Sequence, residues 1–316
     1  MPFESETDSS DQAEATHLIL FRAWERRACQ VVALRSLAPA RLWARKAEGA
    51  HSHHNLRRME HPLVGKRILI LIPHPDDEVV GCCAAVGRAH AGGAKLFGAY
   101  LTTGVPAREC LWIWQRAHYD RKVRQRKDEA LSAAKLLDIE PAFFRDVPTR
   151  TLKTWLKDTR EALIQAIQKY EIDVLWAPAY EGGHQDHDTA NFLASTLLGF
   201  AEVREFSEYH FFNGKVTSQQ FLSPNGTEDS IMLEGREREL KRRALACYRS
   251  ERGNLRHIRT KQEAFRPLAP YDYTRPPHGG KLFYQRFQWV PGHPRIDYVR
   301  PEEVCNAFSE FSAGRK

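Results

Sequence analysis

Lys66-Arg-Ile-Leu-Ile-Leu-Ile72-Pro-His-Pro-Asp-Asp-Glu78 is the stretch on which the fold turns. Ile68 to Ile72 are aliphatic without a break, bounded by Gly65 and Pro73. A strand with no polar face is covered on both sides, which is the mark of a parallel sheet packed between helices. The acidic residues after Pro75 then open a helix predicted over about Glu78 to Ala91, stopped by Gly92-Gly93.

Outward from this stretch the alternation repeats. The strand Lys95–Leu101 runs into the polar loop 102–106, and a long helix is predicted over about His118–Leu137. A short apolar piece at Ala142–Phe144 precedes a helix over about Leu152–Tyr170. The strand Asp173–Ala177 stops at Pro178, and a further helix starts near Asp186. Strand, helix, strand, helix predicts an open, mostly parallel α/β sheet with right-handed crossovers. Later the pattern thins to a strand at Glu205–Phe212, a charged helix at Leu233–Arg249 and a proline-rich loop from Arg266 to Arg300.

Composition bounds the class. With 316 residues, 42% hydrophobic, 28% charged and a mean hydropathy of −0.54, the chain suits a globular protein. No charge-free window approaches the length of a membrane span. The first 14 residues carry five acids where a secretory signal needs positive charge, so the expected location is cytoplasmic. Six cysteines without a C-x-x-C pair read as reduced thiols. The net charge of +7 has a local origin: residues 15–58 hold nine Lys or Arg against two Glu. Without a nucleic-acid-binding fold signature, this is not read as a nucleic-acid site. Residues 1–60 are expected to be an extension, disordered or loosely helical, and residues 61–316 a single α/β domain with a loop-rich C-terminal part. The oligomeric state has no signature.

Two clusters carry chemistry, each just past a predicted strand end, where open α/β sheets place their crevice. One is His74-Pro-Asp-Asp77; the other is His184-Gln-Asp-His187. Taken alone, the first also reads as a helix N-cap with an acidic first turn, and the second as a surface turn. Together they suggest more. A histidine and a carboxylate from one turn, joined by a histidine from another, make a three-ligand set with a position left for water. Either Asp76 or Asp77, and either His184 or His187, is then left over as the acid or base that metal-assisted hydrolysis requires.

These motifs resemble those of the PIG-L/LmbE-like zinc-dependent de-N-acetylases, the family of the N-acetylglucosaminyl-phosphatidylinositol and mycothiol-pathway deacetylases. Its (P/A)-H-P-D-D-E and H-x-D-H marks read here as Pro73–Glu78 and His184–His187, and Arg126-Lys-Asp-Glu129 is similar to its R-x-x-E helix. The resemblance spans about residues 65–200. It implies a Rossmann-like sheet, zinc or another divalent metal such as Fe2+, and a small N-acetylated amino-sugar substrate. It makes His74, Asp77 and His187 the metal ligands and Asp76 the general base. His184 becomes the group that polarises the carbonyl or protonates the amine, and Asp186 the carboxylate that orients His184. Gln185 stands where the family commonly has proline.

Thr103, Arg108 and Tyr180, beside strand ends, are candidate substrate contacts. Trp112, Trp114 and Tyr119 suit either a sugar platform or loop packing, and His278 is a candidate for the cleft wall. His51, His53 and His54 suit adventitious metal. Two other functions use similar residues: a non-haem iron oxygenase, whose facial triad usually rides on an all-β barrel, and a non-catalytic Rossmann-like carbohydrate-binding module. No G-x-G-x-x-G follows the first strand, which weakens a dinucleotide version.

Because the composition changes near residue 60, a chain beginning at Met59 is expected to keep its melting temperature and activity. Thermal melts and turnover of that truncation check this; a large loss of either shows that the leader packs on the domain.

Overall fold

The computed structural model describes residues 66–285 and 300–314. The predicted N-terminal extension, with His51, His53 and His54, lies outside them.

The aliphatic run forms β1 (Arg67–Ile72), central in a seven-stranded sheet. It pairs in parallel with β2 (Lys95–Tyr100) on one side and β4 (Val174–Pro178) on the other, so that Leu69 stands between Phe97 and Leu175. Outside β2 lies β3 (Glu140–Phe144), and outside β4 lies β5 (Glu202–Phe206), both parallel. A hairpin of β6 (Tyr209–Phe212) and β7 (Lys215–Ser218) stands apart from the sheet. β8 (Asp229–Met232) and β9 (Gln262–Pro267) close the sheet antiparallel, giving the order β3-β2-β1-β4-β5-β9-β8.

Period two along β1 divides the core. Ile68, Ile70 and Ile72 share one cluster with residues of α1 (Asp77–Ala91) and α2 (Tyr119–Leu137). Leu69 and Leu71 share the other with residues of α3 (Leu156–Lys169), α4 (Gln185–Ser195) and a helix at Pro301–Ala313. All five side chains are fully buried, each a gain of about 1.5–3 kcal/mol. This two-sided burial is why the run has no polar face. Among the described residues no helix is long and apolar enough to cross a membrane.

The chain leaves β1 towards β2 and β3, then returns across β1 to β4, so the strand order reverses between β1 and β4. That reversal opens a crevice at the carboxyl ends of the two strands. Both motifs stand there.

Three expectations change. The strand predicted at Glu205–Phe212 is two strands in two sheets, broken at Ser207-Glu208, where the Ser207 N–H donates to the Ala264 carbonyl. The charged helix is shorter, α5 at Gly235–Leu245. The predicted loop hides the last residues of β9, because its buried positions include Glu263 and Arg266, paired internally, and hydropathy gives no strand signal.

Helix α1 comes close to the sheet at Gly81, where a Cβ would lie 2.2 Å from the Phe206 ring. Gly81→Ala is therefore expected to cost about 1–3 kcal/mol by overpacking. At roughly 2–4 °C per kcal/mol for a domain of this size, thermal melting should show a drop of several degrees. An unchanged melting temperature contradicts this packing.

Candidate metal centre

After β1, Pro73 and the residues behind it form a tight turn: the Asp77 N–H donates to the His74 carbonyl at 3.1 Å, and the His74 N–H donates to Asp77 Oδ2 at 2.7 Å. Asp76, at the hinge of this turn, has φ 132° and ψ −22°, a conformation that costs a non-glycine residue about 1–3 kcal/mol. The surroundings hold it there. Its N–H donates to Glu78 Oε2 at 3.2 Å, and Arg126 Nη2 donates to both the Pro75 carbonyl and Asp76 Oδ2.

After β4 the chain passes Gly182-Gly183 and enters α4, with His184 as N-cap and His187 in the first turn. A Cβ on Gly183 would meet the Tyr209 carbonyl at 2.3 Å, so only glycine brings the loop this close to the hairpin.

The two turns meet in a triangle of donor atoms. His74 Nδ1 lies 3.3 Å from Asp77 Oδ2 and 3.1 Å from His187 Nε2, and Asp77 Oδ2 lies 3.3 Å from His187 Nε2. Ligands about 2.0–2.2 Å from a tetrahedral ion are separated by about this distance, so one divalent cation fits all three atoms. Each histidine has a carboxylate behind it, as metal-binding histidines usually do. His74 Nε2 is 3.0 Å from Asp186 Oδ2, and His187 Nδ1 is 3.4 Å from Glu208 Oε2.

The triangle lies beneath a cleft of about 540 Å3 whose lining includes His74, Asp76, Asp77 and His184. Further lining residues include Lys122, Thr149, Arg150, Leu255, Ile258 and Phe283.

Residues 69–198 match the family of GlcNAc-PI de-N-acetylases, PIG-L. That match covers 130 of the 316 residues and takes in both motifs. No curated protein matches it significantly. Among solved structures, a deacetylase-bog complex from the teicoplanin biosynthesis pathway is similar at 18% identity and a TM-score of 0.52, over 65% of this chain and 99% of that one. A deacetylase triple mutant of the teicoplanin pathway gives 18% and 0.51 with the same coverage. At this identity the likeness speaks for the fold alone.

Within the PIG-L motifs the structure distributes the polar contacts differently from the expectation at one point. Asp186 was expected to orient His184, yet their side chains are 3.7 Å apart. Its Oδ2 instead faces His74 and accepts from Thr149 Oγ1 at 2.8 Å and the Arg150 N–H at 2.6 Å. The Asp186 backbone N–H donates to His184 Nδ1 at 3.1 Å. That bond puts the His184 proton on Nε2. Burial and the neighbouring His74 also hold His184 well below the ordinary imidazole range, so it is a neutral N–H donor.

The substrate-contact candidates fall elsewhere. Thr103 is buried in its own turn, its hydroxyl on the Val105 carbonyl. Arg108 pairs with Asp120 and stacks over Tyr119. Tyr180 packs against Tyr271 and Tyr273 and donates to the Arg275 carbonyl. None lines the cleft. A position beside a strand end fixes where the backbone is, not where the side chain turns. Trp112 and Trp114 stack on each other, with Trp114 63% exposed, also outside the cleft lining. His278 packs edge-on against Phe212 rather than in the cleft. Gln185 accepts from Lys153 Nζ at 2.9 Å. Sequence reasoning missed Glu208, Thr149 and Glu251, the last in the cleft lining 3.7 Å from Arg126. An acid inside the apolar run Phe206–Phe212 was a usable signal for Glu208; Thr149 and Glu251 left none.

Electrostatics follow from burial. Burial opposes a charge on His74, but Asp77 and Asp186 outweigh it and push the imidazole up to about 10. The same field attracts a divalent cation. A cation bound by His74 must displace that proton, so affinity should rise about tenfold per pH unit below 10. Zinc titrations in buffers of different ionisation enthalpy should show about one proton released at pH 7–8. Affinity that does not change with pH, with no proton released, contradicts the assignment.

Proposed function

We propose that the chain is a metal-dependent hydrolase that removes the acetyl group from a small N-acetylated amino sugar, an N-acetylglucosamine-type conjugate. The observation that carries the reading is the donor triangle of His74, Asp77 and His187 at the floor of a cleft that Asp76 and His184 also line. When bound there, a divalent ion, zinc in this proposal, supplies Lewis-acid polarisation of the amide carbonyl and acidifies water.

The chain's own residues do the rest. Asp76 is the base. Burial raises its carboxyl well above the ordinary range, while Arg126 opposes the rise and keeps the carboxylate accessible. Arg126 occupies Oδ2, which leaves Oδ1 to take the proton of the attacking water. His184, neutral and protonated on Nε2, donates to the oxygen that gains negative charge as the tetrahedral centre forms. When the C–N bond breaks, the amine takes the proton that Asp76 accepted, and the acetic acid formed gives its remaining proton to solvent and departs as acetate. Asp186 orients His74 through Nε2. The arrangement of extra acid and neutral imidazole beside three ligands on an α/β sheet favours hydrolysis over oxygenase chemistry.

Bound metal measured beside acetate release from N-acetylglucosamine conjugates tests this in five variants. Asp76→Ala and His184→Ala should still purify with about one zinc while turnover falls by ~10²–10⁴. His74→Ala, Asp77→Ala and His187→Ala should lose both. Acetyl-lysine peptides should not be cleaved. If Asp76→Ala loses metal while Asp77→Ala keeps it, the two acids exchange roles; if all five keep metal and activity, the site is elsewhere.

A further inference from the structure

Helix α1 is broken. At Cys82 the backbone leaves helical geometry, with φ −141° and ψ 18°. In an unbroken helix the Val80 carbonyl would take the Ala84 N–H, and the Gly81 carbonyl the Ala85 N–H. Here the Val80 carbonyl accepts from Lys241 Nζ at 2.8 Å. The Ala84 N–H donates to both Glu263 oxygens at 3.0 Å, and the Ala85 N–H to Oε2 at 3.0 Å. Lys241 and Glu263 pair with each other at 2.8 Å, and both side chains are 0% exposed.

The pair thus fills the break. Its ammonium sits on the Val80 carbonyl near the end of the first segment and its carboxylate on the Ala84 and Ala85 N–H groups of the second, the orientation that both helix dipoles favour. Such a pair contributes little to stability, since apolar residues of the same volume usually serve as well. Its effect is geometric. The segment it terminates, Asp77–Gly81, begins with the Asp77 carboxylate of the donor triangle and includes Val80 of the cleft wall.

We propose that Lys241 and Glu263 are positioning residues: by holding the break in α1 they keep Asp77 in register with His74 and His187. The proposal rests on the metal reading above. Both residues lie beyond the segment 69–198 that matches the family, on α5 and β9. The C-terminal part would then shape the centre without touching it.

The test compares zinc affinity, by competition with a chromophoric chelator, in the full chain and in the double variant Lys241→Met/Glu263→Met. With the pair gone, the freed groups of α1 can bond each other and straighten the helix. The double variant should stay folded, yet bind zinc about 10–100-fold more weakly, the usual effect of losing outer support. A folded variant with wild-type zinc affinity overturns the proposal and leaves the metal reading intact. Wild-type chain that takes up no zinc overturns both. Should the variant not fold, amide exchange in the wild type decides. Because coupling is reciprocal, zinc should slow exchange at Ala84 and Ala85. Unchanged rates there overturn the positioning role.

Discussion

Four carboxylates buried within one crevice are the constraint on which the rest of this structure depends. Asp76, Asp77, Asp186 and Glu208 are 8%, 3%, 1% and 2% exposed. An ionised carboxylate away from water is tolerated only with partners, and the fold supplies them from every direction. Arg126 reaches Asp76 from α2, itself beside Glu251 at 3.7 Å and over the Tyr248 ring. The Thr149 hydroxyl and the Arg150 N–H hold Asp186. His74 and His187 serve Asp77. Glu208 faces His187 Nδ1 at 3.4 Å, and burial raises its carboxyl well above the usual range. The negative field left over is what recommends the centre to a divalent cation.

Much of this was legible in the chain. The aliphatic run of β1 has one structural solution, a strand covered on both faces, and the following His-Pro-Asp-Asp can only emerge at its carboxyl end. The second motif follows β4 by the same logic, and the strand reversal brings both together. What was not legible depends on contacts that leave no periodic trace. Glu263 sits in a strand whose buried residues are partly charged, so hydropathy misreads the segment. The family resemblance made Asp186 the carboxylate that orients His184, yet the Asp186 backbone N–H caps His184 Nδ1 while its carboxylate faces His74. Thr103, Arg108 and Tyr180 show that strand-end position alone does not aim a side chain into a cleft.

The first motif is braced by hydrogen bonds at Asp76. Asp76 is held in a strained conformation by the Glu78 carboxylate, which is buried, accepts from the Tyr248 hydroxyl and is pushed up to about 7 by that burial. Tyr248, Ser250 and Glu251 all come from the segment just after α5, and Ser250 reaches Glu129 on α2 at 2.6 Å. The region beyond the shared family segment therefore braces the first motif from behind, through hydrogen bonds rather than through the cleft. A relative with the same two motifs but a different C-terminal part need not hold its acids in the same way.

The central claim is that His74, Asp77 and His187 hold one divalent cation. X-ray absorption spectroscopy of the zinc-loaded protein tests it most directly. The account predicts a site with two imidazole nitrogens at about 2.0–2.1 Å and carboxylate oxygen at about 2.0–2.2 Å, and the loss of that zinc signal in His187→Ala, which should not keep the metal. Sulfur at about 2.3 Å, or a spectrum unaltered by that substitution, would contradict it.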